Sequence, residues 1–343
     1  MIQTYLLTLL APLFFGGNTL LNSKLQSGYF FSKDYTTILK GLCCIIVIYV
    51  HVKSPYDNVL QDAIGSFAYV CVTIFFLISA YGMMMSVERK KNYLKHFWRN
   101  RLISLLIPCL LVNIIAMGLG CVKNECDFSI LWNLNSYVAV LLQWCVWFYI
   151  VELLKKHFFP TNNVLTDSIL IAGVLVSSLY NYFFIVVEVS AEAGWCFERV
   201  GLVWGVILYR YFDRIVEWMD KSRMVKVMVL GVLSVISGVA YLKFKMVFFW
   251  GAYLLKITLG LVLILLFFTV TSNRIYGDKM SWWLGSVSFE VYLSHHMVMS
   301  AIENWLPKGV SSGMFIFFTV LITLVFSTII HFMGKRIVNR LRM

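Results

Sequence analysis

Long, continuously apolar runs recur along the chain, separated by short polar connections. They fall at residues 4–21, 35–52, 66–86, 102–120, 136–154, 168–187, 195–210, 225–242, 247–270, 282–302 and 313–333, about eleven in all. Each holds about 16 to 24 residues, and coiled as a helix such a run covers about 30 Å of hydrocarbon. The runs do not alternate apolar and polar residues with period two, which excludes a strand barrel. The pattern predicts an all-α, polytopic helical membrane protein. The first run is interrupted by Pro12 and the pair Gly16-Gly17, and the short seventh carries polar residues at both ends.

Composition agrees with that reading, since 60% of the 343 residues are hydrophobic and 13% are charged. A net charge of +12 would suggest a nucleic-acid partner in a water-soluble chain, but here the placement of charge says more than its sum. Basic residues concentrate in every second connection: Lys24 and Lys33, the run from Arg89 to Arg101, Lys155 and Lys156, the run from Arg210 to Lys226, Arg274 and Lys279, and the tail from Lys335 to Arg342. The intervening connections hold Asp57, Asp62, Glu125, Asp127, Glu188, Glu192 and Glu303 with few lysines. By the positive-inside rule the basic connections face the cytoplasm of a multi-pass cell-membrane protein, with the N-terminus outside and the C-terminus inside. The first run lacks both a basic segment before Lys24 and a small-residue cleavage site, and so reads as an anchor instead of a cleaved signal. No connection exceeds about twenty residues, so any chemistry must sit among the helices.

The second run carries the most informative pair. Lys40 and His51 are eleven residues apart, which on a helix is three turns plus about 20°, so both share one face about 16 Å apart along the axis. Ionisable groups inside a span are costly and read first as functional, with the histidine suited to proton transfer. The plain structural alternative is an interfacial histidine and a snorkelling lysine. Five further stretches add detail. Phe75 to Gly82 brings Ser79 and small residues to span three, which by themselves indicate close helix packing. Phe97 to Arg101, then Pro108, leads from a basic loop into span four, where most of the basic residues serve as topology signals. Trp144, Trp147, Phe148 and Tyr149 lie in span five, and Trp195 to Arg199, then Gly201, Trp204 and Gly205, open span seven. Gly285 to His295 places Glu290, Tyr292 and His295 in span ten.

In that order these stretches resemble the acyltransferase-3 family of integral membrane acyltransferases, over about residues 35 to 333. Lys40 and His51 match the family's basic-x10-His helix, with lysine where arginine is usual. Phe75, Phe76 and Ser79 match "FF-x-x-S-G", with Ala80 in place of the glycine. Arg99, Arg101 and Pro108 match its basic run, Trp147 and Phe148 its "WF", and Ser288, Phe289, Tyr292, Leu293 and His295 its "S-[FY]-x-x-Y-L-x-H". The family core has ten spans, so the resemblance implies a single acyltransferase domain. Residues 1–34 form an added span and linker, 35–333 the core and 334–343 a basic tail.

The resemblance further implies transfer of an acetyl or other short acyl group from cytoplasmic acyl-CoA to a hydroxyl of a cell-surface or lipid-linked glycan. Membrane lipid surrounds the enzyme, and no nucleic acid and no permanently bound cofactor take part. A sugar hydroxyl is a weak nucleophile at neutral pH, so a general base is needed, for which His51 is the candidate. Lys40, Arg99 and Arg101 offer cations to the nucleotide phosphates. Tyr292, His295 and Ser79 are candidate donors to developing oxyanion charge. Glu290 either orients or charges His51 or His295, or pairs with a buried cation for structure.

Among the remaining histidines, His296 adjoins His295 but points about 100° away on a helix, so at most one of the two is expected to face a given site. His96, His157 and His331 read as interfacial. No HExxH or CxxC spacing indicates a metal site, and no G-x-S-x-G elbow or glycine-rich phosphate loop is found. Most of the eight cysteines lie within spans as small apolar residues, while Cys121 and Cys126 share an outer connection and are close enough in sequence to pair. A transporter or flippase, or a glycan polymerase, are the rival classes. The first lacks its usual paired broken helices here and the second its large outer loop.

The charge pattern makes a direct prediction about sidedness. In a background without reactive native thiols, a cysteine replacing Ser54 should react with an impermeant reagent in intact cells, and one replacing Asn92 only after lysis. The reverse labelling would invert the membrane orientation.

Overall fold

The computed structural model describes residues 2–21, 23–26, 28–122, 127–186, 195–307 and 309–342. Almost all of them are helical: α1 (Ile2–Leu21), α2 (Lys33–Val50), the short α3 (Val59–Gly65), α4 (Ala68–Arg89), α5 (Phe97–Val122), α6 (Ser136–Phe158) and α7 (Asn163–Tyr180). There follow α8 (Val200–Arg210), α9 (Phe212–Asp220), α10 (Arg223–Phe244), α11 (Lys256–Thr271), α12 (Lys279–Ser286), α13 (Ser288–Trp305) and α14 (Ser312–Arg342). Among the described residues each apolar run falls on a helix, with the run 282–302 divided between α12 and α13, and α1 continues through Pro12. Eight of the described helical segments are long and apolar enough to cross a membrane, against the eleven expected. The expected spans outside that set are α2, α8 and α13. Helix α8 is short, while α2 holds Lys33, Asp34 and Lys40 and α13 holds Glu290, His295, His296 and Glu303. The Cys121–Cys126 pairing lies outside the described residues.

Helix ends follow local side-chain chemistry. The Ser32 hydroxyl accepts from Tyr35 N at 3.2 Å to start α2, Asn58 and Gln61 form a reciprocal cap on α3, and Asp278 accepts from Ser281 N at 2.9 Å to start α12. A two-residue antiparallel pairing joins β1 (Lys24–Leu25) to β2 (Arg274–Ile275), tying the loop after α1 to the loop after α11. The same end of the bundle carries an aromatic cluster under the first turn of α2. There Tyr35 exchanges a 2.6 Å hydroxyl bond with Thr271, and the Tyr276 hydroxyl donates to Tyr35 O at 3.1 Å.

Two close backbone approaches hold the central helices. Helix α8 lies on α4 through Gly201 and Gly205, one turn apart, where an added Cβ would stand 2.1 Å from Thr73 O and 2.4 Å from Leu77 O. This is small-residue packing, in which the loss of side-chain bulk lets helix axes approach. Helix α2 lies against α12 in the same way, since a Cβ at Gly285 would stand 1.8 Å from Thr37 O. Around this centre, α1 packs on α14, and α10 faces outward with Leu230 as its one buried residue. The many exposed Leu, Val, Ile and Phe side chains of α1, α10 and α14 would be a large uncovered patch in water and are the expected surface in hydrocarbon.

Gly205→Ala should therefore lower the thermal stability of the detergent-solubilised protein by about 1–3 kcal/mol, the usual cost of overpacking. Gly231→Ala on α10, where nothing lies within 4 Å of the new atom, should be neutral. Equal melting profiles for the two variants would remove the α4–α8 contact from the account.

Candidate active site

Helix α2 runs through the interior between its two basic residues, with Cys43, Cys44, Ile45, Val47, Ile48 and Tyr49 all buried. His51 caps its far end. The buried Gln61 amide donates to Tyr49 O, and at 3.4 Å to Val52 O, so carbonyls on both sides of His51 are bonded from α3 and the backbone around it is fixed. Helix α13 is held to α14 beside it by the Ser294–Ser327 hydroxyl bond of 3.0 Å.

These two anchors bring three imidazoles together. The His51 ring centroid lies 4.9 Å from His295 and 4.2 Å from His296, and the latter two are 4.3 Å apart. The expectation that His295 and His296 could not share a site is corrected: His51 comes from another helix and sits between their two directions, so a 100° divergence on α13 does not separate them. His295 is buried, His51 half-buried and His296 exposed. His295 Nδ1 lies 3.3 Å from Val291 O, and its Nε2 has no partner. One potential ligand atom from each of the three rings lies within 4.8 Å of the others. A set able to hold a metal is therefore present although no local sequence spacing announces it. His51 and His296 line a cavity of about 190 Å³ with Lys53, Ser54, Ser300 and Glu303.

Glu290 is elsewhere. His331 Nδ1 donates to Glu290 Oε1 at 3.0 Å, and Lys40 lies within the field of the same carboxylate. Of the two roles left open for Glu290, its contact is with a cation-forming group on α14 and not with His51 or His295. His331, expected at an interface, is the partner of a buried carboxylate.

At the end of the bundle where the basic loops meet, a larger cavity of about 620 Å³ opens between α4 and α5. Its lining includes Ser79, Lys90, Lys91, Tyr93, Arg101 and Arg342. Arg101 Nη2 donates to Tyr93 Oη at 2.8 Å, and Arg342 Nη2 donates to Ser104 Oγ at 2.7 Å and Asn100 O at 3.2 Å. Of Lys40, Arg99 and Arg101, expected to bind the nucleotide phosphates, this cavity gathers Arg101, while Ser79, expected to donate to oxyanion charge, lines this cavity and not the one beside the histidines. Arg99 is exposed outside it, Lys40 lies on α2 within the field of Glu290, and Tyr292, another of the oxyanion candidates, is buried on α13. Lys90 and Lys91, read as topology signals, and Arg342, read as part of the tail, line it instead. A pair of tyrosines spans the distance between the two cavities. The Tyr137 hydroxyl is within hydrogen-bonding reach of Ser79, the Tyr137 and Tyr292 rings are 4.8 Å apart, and Tyr292 lies 5.8 Å from His295. Trp147 covers Gly173, and the neighbouring Phe148 stacks on Phe97, so the Trp-Phe motif packs α6 against α7 and α5.

A comparison with known protein families matches residues 34–332 to the acyltransferase-3 family, described as an acyltransferase domain. The chain belongs to the acyltransferase-3 family. As a member of it, the protein is a membrane acyltransferase, and the match spans α2 through most of α14. No curated protein and no solved structure matches the chain. Within this acyltransferase, both cavities and the tyrosine pair between them lie almost wholly on the matched residues. Arg342, beyond the match, is an exception.

The Glu290 contacts make a stability prediction. Removing the carboxylate with Glu290→Ala takes away the partner of the His331 imidazole and should cost about 1–3 kcal/mol, the scale of a lost buried hydrogen bond. Glu290→Gln, which keeps an acceptor oxygen for His331 Nδ1, should recover part of that loss in a thermal melt. An equal loss in both variants would show that the bond to His331 is not what Glu290 contributes.

Proposed function

We propose that this acyltransferase takes a short acyl group, acetyl being the simplest, from acyl-CoA bound at the basic end and delivers it to a hydroxyl of a cell-surface or lipid-linked glycan at the histidine end. The basic end is cytoplasmic in this reading, with the N-terminus outside. The observation that carries it is the line from the basic cavity through Ser79, Tyr137 and Tyr292 to His295 and His51, which joins the two ends through the interior of the protein.

The chemistry follows from those groups. Lys90, Lys91, Arg101 and Arg342 supply fixed cations for the phosphates of the nucleotide, which strengthen as water is excluded around them. The pantetheine arm is thin and extends along the tyrosine pair, so the thioester reaches the imidazoles. His51 accepts the hydroxyl proton as the hydroxyl oxygen attacks the thioester carbonyl. The tetrahedral intermediate carries its negative charge on the former carbonyl oxygen, towards which the Tyr292 hydroxyl donates. Its collapse breaks the C–S bond, and the proton held by His51 passes to the departing thiolate. His295 supports this cycle as an acceptor: with Nδ1–H directed at Val291 O, its unpartnered Nε2 can take an N–H of the His51 imidazolium. That is the part a carboxylate plays for other catalytic imidazoles, and Glu290 is bonded to His331 instead.

The test uses protein reconstituted in vesicles, with acyl-CoA supplied to one face and a hydroxyl acceptor to the other. His51→Ala and His51→Gln should lose about 10²-fold or more of the transfer rate at matched protein level. Arg101→Ala and Arg342→Ala should instead raise the KM for acyl-CoA about tenfold, an effect that salt reproduces by screening. Transfer by His51→Ala at near the wild-type rate would remove the general-base assignment. An unchanged KM in both arginine variants would move the donor out of the basic cavity.

A further inference from the structure

The cluster of His51, His295 and His296 holds more nitrogen donors than one proton transfer requires. We infer that these three side chains form a binding site for a divalent transition-metal ion of the zinc class, and that the bound ion competes with their use as bases.

Three features of the cluster support coordination. One potential ligand atom from each ring lies within 4.8 Å of the others, and nitrogens bound to one tetrahedral zinc ion stand about 3.3 Å apart, given Zn–N bonds of about 2.0–2.1 Å. The difference is closed by small side-chain rotations, because the rings already contact one another at 4.2 to 4.9 Å between centroids. His295 is also prepared as a ligand. Metal-bound histidines characteristically donate the ring N–H remote from the metal to a carbonyl or carboxylate, which sets the tautomer and aims the other nitrogen. His295 has that arrangement, with Nδ1 at 3.3 Å from Val291 O and Nε2 without a partner, in a side chain only 1% exposed.

The third feature is access. His51 and His296 line the 190 Å³ cavity, so an ion can reach the cluster without crossing the bundle, and a fourth position remains for water or for Glu303 from the same lining. The nearby cation is Lys53, which is exposed and screened by solvent. Imidazole is a borderline ligand that suits zinc, copper and nickel, and magnesium or calcium would prefer oxygen. A lone pair given to the metal cannot accept a proton, so the occupied cluster lacks its base. This second part rests on the function proposed above, whereas binding itself does not.

The experiment titrates full-length, tag-free protein in detergent, first stripped with a chelator, with Zn²⁺ by calorimetry and with Co²⁺ by visible absorption. One Zn²⁺ should bind per chain, and Co²⁺ should give the intense d–d bands of a tetrahedral site. His51→Gln and His296→Gln should each weaken binding at least about tenfold, while the exposed His157→Gln should not. His296 is at the surface, so its loss leaves the fold intact and keeps the test meaningful. Absence of stoichiometric binding, or wild-type affinity in both His51→Gln and His296→Gln, would overturn the site. Transfer activity should fall with Zn²⁺ over the same concentration range as binding and return with chelator. Full activity with the site saturated would overturn the competition and leave the metal site standing, whereas a chain that binds Zn²⁺ but transfers no acyl group would sink only the functional reading.

Discussion

The backbone contact between α2 and α12 is the constraint on which the site depends. Gly41 and Gly285 let the two helices meet with no side chain between them, and α12 continues directly into α13. Because α2 carries Lys40 and His51 while α13 carries Glu290, Tyr292, His295 and His296, this one approach sets the spacing of nearly every group with chemistry to offer. A larger residue at either glycine would force α2 and α12 apart, since an added Cβ would stand 2.7 Å from Gly285 N or 1.8 Å from Thr37 O.

Hydrocarbon supplies no partners for polar groups, so whatever polarity a span carries must be answered by another span. That rule sorts the helices here. The outermost, α10, is largely apolar and has a single buried residue, whereas α1, also rich in exposed apolar side chains, meets the interior through Thr8 and Thr19. The helices that fall outside the apolar set, α2 and α13 among them, carry the ionisable residues and lie in the interior, where Glu290 meets His331 and the three histidines meet one another. The exposed apolar surface and the buried polar line are two results of the same solvent.

The two ends of the protein differ in size and charge. The basic cavity is wide and lined by cations on loops and helix ends, which suits a large polyanionic donor held by charge. The histidine cavity is smaller and carries both a carboxylate and a lysine, with no comparable concentration of one sign. Between them Tyr137 and Tyr292 pack against each other and Tyr292 against His295, buried in the interior of the bundle.

Sequence alone determined the helical membrane class, because continuous apolar runs of span length have no other stable arrangement in lipid, and it determined the family, because basic-x10-His, Phe-Phe-x-x-Ser and the late Tyr-Leu-x-His occur in order. It also singled out His51 as a candidate, because an ionisable group within a span is costly. What it left open were relations between helices. The meeting of His296 with His51, the turning of Glu290 to His331, and the arrival of Arg342 from the tail at a cavity lined by Lys90 and Lys91 each join residues about 40 to 250 positions apart. Helical periodicity orders neighbours three and four residues apart and says nothing about which face of a distant helix stands opposite. Only the packing of α2, α13 and α14 around their small-residue contacts decided that.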